Sequence, residues 1–493
     1  MTCFIFTVGC VDELNNDTLP PYRGVALPYN IEGNLEISDF VWRGLNDYYY
    51  WQSNVDKLSD DIFEDPVEYN QFINSNSDPK SFFNSLLSFE DRFSALYEDY
   101  RVLENTIQGV SSSYGVEFGL LRSCNNCNDL IGFIKYIYKN TEIENINIKR
   151  GDIFIGVNGN RLKVSNYQSL LYGDQETIIL NMAKIKNGAI VRENSNIELI
   201  REFDFKINPI QIKSIINLDD TQSKSTKKVA YLMYNQFIRD KSEELNVIFG
   251  DFRDHDIDEL VLDLRYNGGG SIKNCVELAS MITGQFVNEV FAQEKWNKKN
   301  EDYLIEKFGK EAIVNRFVDT LTSGNQINSL RLNRVFILTS AETASASELL
   351  INGLKPYIEV IHIGGQTTGK NVGSITVYDY IDENETKNPN HTYAMQPIVL
   401  KIANSEGYAD YTDGLIPDYS FEENLQNFGV LGSKDEPLLS FALNIIQNSQ
   451  SFNSIKNNFF HKFKIVNLMP TNKKEMFSDK GNLFKNSKLK IND

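Results

Sequence analysis

Apolar and polar positions change period along this chain, and the changes divide it. Across residues 30–105 the apolar positions keep helical spacing: Phe40, Val41, Leu45, Tyr48, Tyr49 and Trp51 recur in DFVWRGLNDYYYWQ. Asp78-Pro79 predicts a further helix to Leu87, with Asp as its cap and Pro at the favoured first position. The aromatic stripe reads as packing, so this all-helical N-terminal unit is expected to carry no chemistry of its own. Across 106–205 the period is that of strands, at 116–121, 148–157, 176–183 and 196–201, with an Asn158-Gly159 turn and one late helix at 167–172. From Lys227 strands alternate with helices. Strands are predicted at 229–234, 259–265, 335–338, 358–363, 376–380 and 398–402. Helices are predicted at 237–249, 271–282 and 435–446, with one after Ser345, and 295–324 reads as a charged helical insertion. Such alternation implies a mainly parallel, covered sheet.

The fold class that follows is multidomain α/β. Its parts are 30–105 (helical), 106–205 (β-rich), 206–448 (α/β core) and 449–493 (a polar, lysine-rich tail). Hydrophobic content of 41% supports real cores across 493 residues. A net charge of −18 argues against nucleic acid or an anionic membrane surface as the main partner. Five cysteines make no disulfide framework at this length. Cys124 and Cys127 form a lone CxxC without the second pair a zinc site needs, which leaves a loop disulfide or two inert thiols. Cys275 is expected in the core. Cys10 ends an apolar run, Phe4-Ile5-Phe6-Thr7-Val8-Gly9, that reads as a partial lipoprotein signal at 1–10 with a tether at 11–29. A lipid on Cys10 is then the expected membrane attachment.

Three motifs carry candidate chemistry. Asn267-Gly268-Gly269-Gly270 follows a strand and opens a helix, where backbone N–H groups can face an anion or serve only a tight turn. Thr343-Ala344-Ser345-Ala346-Ser347-Glu348 sets a hydroxyl, expected to stand exposed, at a helix N-terminus, and Ser345-x-x-Glu348 is equally a capping box. Gly364-x-x-x-x-Gly369-Lys370 nearly spells a phosphate-binding loop. Asn371 replaces the magnesium-binding hydroxyl, and a turn and strand follow instead of a helix, so nucleotide binding is set aside. Each motif alone has a structural reading. Together they supply a nucleophile (Ser345), a base (Lys370) and an oxyanion hole from the N–H groups of Ala346 and of Gly268 or Gly269, the parts of Ser-Lys acyl transfer. His255, His362, His391 and His461 are scattered, so no Ser-His-Asp triad is predicted.

LDLRYNGGG at 262–270, TASASE at 343–348 and Gly369-Lys370 resemble the C-terminal processing peptidases, or tail-specific proteases, over about 107–447. The resemblance implies a serine endopeptidase with an α/β (crotonase/ClpP-like) core, in which the motif's nucleophile falls on Ser345 and the lysine follows at the family's interval. No cofactor or metal is implied. RGDIFIGVNG at 150–159 resembles a PDZ domain, which implies capture of a substrate's C-terminus by a loop around Phe118, Gly119 and Leu120. The helical unit and lipobox are similar to Bacteroidetes-type envelope lipoproteins, implying a periplasmic or surface-facing location in a Gram-negative cell. One departure stands out: the family's lysine-orienting glutamine is Ser374 here. That departure motivates a rival reading, a non-catalytic peptide- or ligand-binding envelope lipoprotein on the same scaffold. A crotonase-like acyl-CoA enzyme has only the fold relationship in its favour.

Overall fold

The computed structural model describes residues 34–448, apart from 64, 125, 140, 220–225 and 383, together with 476–487. Cys10, the tether and most of the lysine-rich tail lie outside the described residues.

The core is a six-stranded sheet in the order Ile210–Asp219, Thr226–Tyr234, Glu259–Asp263, Arg334–Thr339, Glu359–Gly364, Tyr419–Ser420. The first pair is antiparallel and the rest are parallel. Alternate residues go to opposite faces, as strand geometry demands. Ala230, Leu232 and Tyr234 join the packing of the helices Ser242–Asp254, Ile272–Thr283 and Ala346–Leu354. Val229, Tyr231 and Met233 face the closing helix Pro437–Asn448 instead. Both faces are covered, which is why the central strands carry the apolar runs 229–234, 260–262 and 335–338.

The predicted helix at 237–249 begins later, at Ser242. Phe237 is instead clamped to the glycine loop: its N–H donates to Gly269 O at 2.8 Å, and its carbonyl accepts from Ser271 N at 2.8 Å. The insertion at 295–324 is not wholly helical. After the helix Lys298–Phe308 it forms the strand Val314–Arg316, which pairs with Val290–Trp296 at the edge of a second six-stranded sheet. In that sheet the strand Met476–Phe477 lies between Gly270–Ser271 and Val372–Ser374.

The N-terminal unit holds the helices Asn34–Tyr48, Pro66–Ile73, Pro79–Ser85 and Tyr100–Ile107. Asp78 caps the third by accepting from Ser81 N. The unit is not purely helical, because Ala95–Tyr97 pairs antiparallel with Ala394–Gln396 of the core. A three-residue strand whose partner is so distant leaves no local period to read.

The β-rich module has its strands in the order Val116–Arg122, Leu130–Ile137, Ile153–Val157, Thr177–Lys186, Ala189–Ile200, with one short helix, Tyr167–Leu171. Cys124 and Cys127 are disulfide-bonded, the first of the two outcomes their spacing allowed. Two buried ion pairs fasten this module to the core: Lys135 Nζ to Glu342 Oε2 at 2.6 Å, and Arg150 Nη2 to Glu423 Oε1 at 2.5 Å.

Candidate active site

Three loops leave the carboxyl ends of three adjacent parallel strands, where open α/β sheets form their clefts. After Glu259–Asp263 comes the glycine loop, after Arg334–Thr339 the turn to Ser345, and after Glu359–Gly364 the loop to Lys370. The loops are stitched to one another. Ala344 N and Ser347 Oγ both donate to Asn267 O, at 3.1 Å each. Thr368 N donates to Thr343 O at 2.9 Å, and Thr368 Oγ1 to Ala341 O at 2.9 Å.

Glu348 joins the nucleophile turn to the lysine loop. Its Oε2 accepts from Ser345 N at 2.7 Å and from Lys370 N at 2.8 Å. Its Oε1 accepts from Gly369 N at 2.7 Å and Thr367 Oγ1 at 2.5 Å. Burial raises its carboxyl above the ordinary glutamate range, and these four donors pull it partly back. The capping-box signal had picked out one of the four bonds. The other three come from a loop that sequence spacing does not connect to it.

Ser345 heads the helix Ala346–Leu354 with φ 66 and ψ −117, a backbone conformation costly for a residue with a Cβ. The hydroxyl is not exposed as expected. The residue is fully buried, and Oγ has no hydrogen-bond partner. Ser345 and Lys370 are therefore brought to one site without being hydrogen-bonded to each other in this state. Lys370 is buried, with 2% of its surface exposed. Gly369 before it has φ 86, and a Cβ there would meet Thr412 O at 2.1 Å.

Of the predicted oxyanion donors, Gly269 is already engaged, since its N–H donates to Asn267 Oδ1 at 2.8 Å. The N–H groups of Gly268 and Ala346 have no partner among the described residues. Ser374 Oγ donates to Met476 O at 3.3 Å, so the hydroxyl expected to orient the lysine is bonded into the seam with Met476–Phe477. His362, on the strand next to the serine's, contacts Thr339 Oγ1 at 2.6 Å, and burial lowers it to about 4.

Phe118, Gly119 and Leu120 form no loop. They lie within the strand Val116–Arg122, paired with Ile134, Phe133 and Gly132, at the edge of the module's sheet. Beside that edge is a cavity of about 240 Å³ that Phe118 and Tyr172 line on one side and Tyr266 and Gly268 on the other. A larger cavity, of about 470 Å³, is lined by Arg43, Glu104, Asp379 and Phe477 but by neither Ser345 nor Lys370.

Beneath the loops, Arg265 is fully buried among Asp263, Glu423 and Glu436, with contacts of 2.8, 2.9 and 2.7 Å. Burial by itself would raise the Glu423 carboxyl. Arg150 and Arg265 outweigh it and hold the group down to about 2. The sequence reading missed this cluster, because Asp263 and Arg265 lie in the 262–270 motif while Glu423 and Glu436 are 158 and 171 residues beyond Arg265, with no motif to connect them.

Comparison with known proteins bears on this arrangement. Residues 228–403 match the family model for peptidase family S41, and residues 36–95 match that for the peptidase S41 N-terminal domain. A "Probable CtpA-like serine protease" of Staphylococcus aureus (strain MRSA252) is 24% identical over 349 residues, which are 70% of this chain and 58% of that protein. A protein of the same name from Staphylococcus epidermidis is 23% identical over 78% of this chain and 65% of its own length. This chain thus spans somewhat less than two thirds of the curated relatives it matches. Among solved structures, one assigned to the S41 proteases from Bacteroides fragilis NCTC 9343 superposes with a TM-score of 0.63, at 22% identity over 84% of this chain and 98% of that one. The photosystem II D1 C-terminal processing protease gives 0.50, at 16% identity over 84% and 99%. Both likenesses are of fold.

Proposed function

We propose, from the match of residues 228–403 to the peptidase family S41 model, that the chain is a serine endopeptidase acting through Ser345 and Lys370. The observation that carries the reading is a buried, strained serine whose Oγ has no partner, held with the lysine by one carboxylate. An unpaired buried hydroxyl costs about 1–3 kcal/mol and strained backbone a similar amount. Chemistry at Oγ accounts for both.

In the proposed cycle Lys370 Nζ, as the neutral amine, accepts the Ser345 proton while Oγ attacks the scissile carbonyl carbon. The carbonyl electron pair moves to oxygen, which the N–H groups of Ala346 and Gly268 receive. Such a donor contributes roughly 3 kcal/mol. Collapse breaks the C–N bond, and the leaving amine takes the proton from Lys370. The Lys370 amine, neutral again, then takes a proton from water as it attacks the acyl-enzyme ester, and returns that proton to Ser345 Oγ as the C–O bond breaks.

The substrate is proposed to be a polypeptide presented by its C-terminal region and added along the free edge of Val116–Arg122 in a PDZ-like manner. Support comes from the 240 Å³ cavity, which runs between that edge and Gly268. Lipid on Cys10, and with it an envelope location, belongs to the same reading and is checked by mass spectrometry of the native amino terminus.

The test is cleavage of an unfolded polypeptide such as β-casein. The reading expects cleavage by the wild type and none by Ser345→Ala or Lys370→Ala. Cleavage by Ser345→Ala at the wild-type rate would sink it. Binding of C-terminal peptides without turnover would favour the non-catalytic scaffold.

A further inference from the structure

The N-terminal unit, which its sequence presents as packing alone, reaches the proposed base. The Phe93 ring centroid is 5.0 Å from Lys370 Nζ. The Arg92 guanidinium lies 4.8 Å from the same ring, and its Nη2 donates to Gly369 O at 2.6 Å and Thr412 O at 2.8 Å. One turn therefore grips the lysine's loop by the Gly369 carbonyl and the lysine's tip by an aromatic face.

The turn itself is fixed from both sides. Asp91 Oδ1 accepts from Phe93 N at 2.8 Å and Ser94 N at 2.9 Å, while Asp91 Oδ2 accepts from the buried Tyr49 hydroxyl at 2.8 Å. On the far side Ser94 Oγ accepts from Ile398 N at 2.9 Å, and Ala95–Tyr97 pairs into the core. The position of Phe93 is thus set on one side by Tyr49, just after the helix Asn34–Tyr48, and on the other by a strand.

Glu348 fixes the Lys370 backbone, but four methylene groups separate that backbone from Nζ. Ser374, the group expected to steady the tip, donates its hydrogen bond to Met476 O. An aromatic face suits the task for a physical reason. It attracts the ammonium form through the ring quadrupole, yet it offers no strong acceptor or donor. It can hold the tip without competing for the lone pair that must take the serine proton.

We propose that Phe93 is a positioning residue for Lys370, so that the N-terminal helical unit completes the site in the core. The proposal rests on the reading of Lys370 as base. It adds that the base is held in place by a ring from another unit.

The experiment compares full-length wild type, Phe93→Leu, Phe93→Tyr and Lys370→Met on fluorescein-labelled β-casein. Leucine keeps the apolar bulk and removes the ring; tyrosine keeps the ring. Phe93→Leu is expected to lower kcat by about two- to thirtyfold at an unchanged KM, and Phe93→Tyr to stay within about twofold of wild type. In protein labelled with ¹³Cε-lysine, the Lys370 methylene signal is assigned by its loss in Lys370→Met. It should lie upfield from the ring current, return to the usual lysine position in Phe93→Leu and stay upfield in Phe93→Tyr. An inactive Lys370→Met beside a Phe93→Leu with wild-type kcat and an unmoved signal overturns this proposal alone. So does a Phe93→Tyr as slow as Phe93→Leu, because packing rather than the ring face would then be at issue. Casein cleavage by Lys370→Met at the wild-type rate removes the base assignment, and this proposal with it.

Discussion

Replacing Glu348 with glutamine tests whether one carboxylate holds the site together. The four donors fall in two pairs, Ser345 N and Lys370 N on Oε2, and Gly369 N and Thr367 Oγ1 on Oε1. A glutamine must turn its NH2 toward one pair. Facing the first pair, it strands two buried N–H groups. Facing the second, it strands only Gly369 N, because the Thr367 hydroxyl can rotate and accept. The second orientation costs less. A stranded buried donor costs about 1–3 kcal/mol, and the two retained bonds lose their charge assistance. Relief of burying a carboxylate offsets part of this, in keeping with its raised pKa. The net destabilisation comes to about 2–4 kcal/mol, or roughly 5–15 °C in the melting transition of the core. Since Gly369 is the released residue and Lys370 is next to it, kcat on β-casein should also fall about 10- to 100-fold at little change in KM. Scanning calorimetry and steady-state cleavage read the two effects. A Glu348→Gln protein that melts and cleaves like the wild type would refute the idea that this carboxylate positions the nucleophile and base.

Two further predictions concern buried titratable groups away from the reacting atoms. Lys135→Met leaves Glu342 as a buried, unpaired carboxylate three residues before Ser345, which should cost about 3–5 kcal/mol; adding Glu342→Gln should recover most of it, as a double-mutant cycle in chemical denaturation would report. His362 is held neutral, at about 4 against an ordinary value of about 6.5. Its contribution, on the order of 3 kcal/mol, is therefore present above pH 6.5 and lost as pH falls toward 4, so His362→Gln should flatten the loss of stability over that window.

How much was legible beforehand depended on the range of each signal. Strands such as Glu259–Asp263 and Arg334–Thr339 are written locally, because a strand covered on both faces is apolar through its interior, as at 260–262 and 335–338. The helix starts at Ser271 and Asp78 are likewise local, since a cap bonds an N–H only three residues away. The helix start near Phe237 was misread because that residue's backbone is committed to Gly269 and Ser271. The period at 116–121 reads as a strand and forms one, Val116–Arg122, whereas the peptide-binding loop that the PDZ resemblance implies around Phe118-Gly119-Leu120 falls inside that paired strand.

The sequence by itself determined the division into helical, β-rich and α/β parts, and it brought Ser345, Lys370 and the Asn267 loop forward as one chemical set. Small residues, glycines and caps leave such marks because they act over a few positions. Only the tertiary structure decided that Glu348 grips both loops, that Gly268 and not Gly269 keeps its N–H unpaired, and that Ser374 turns to Met476. It alone set Phe93 over Lys370. These are contacts between side chains or amides whose partners lie in other segments. A buried polar group must find a partner somewhere, but nothing local tells it which.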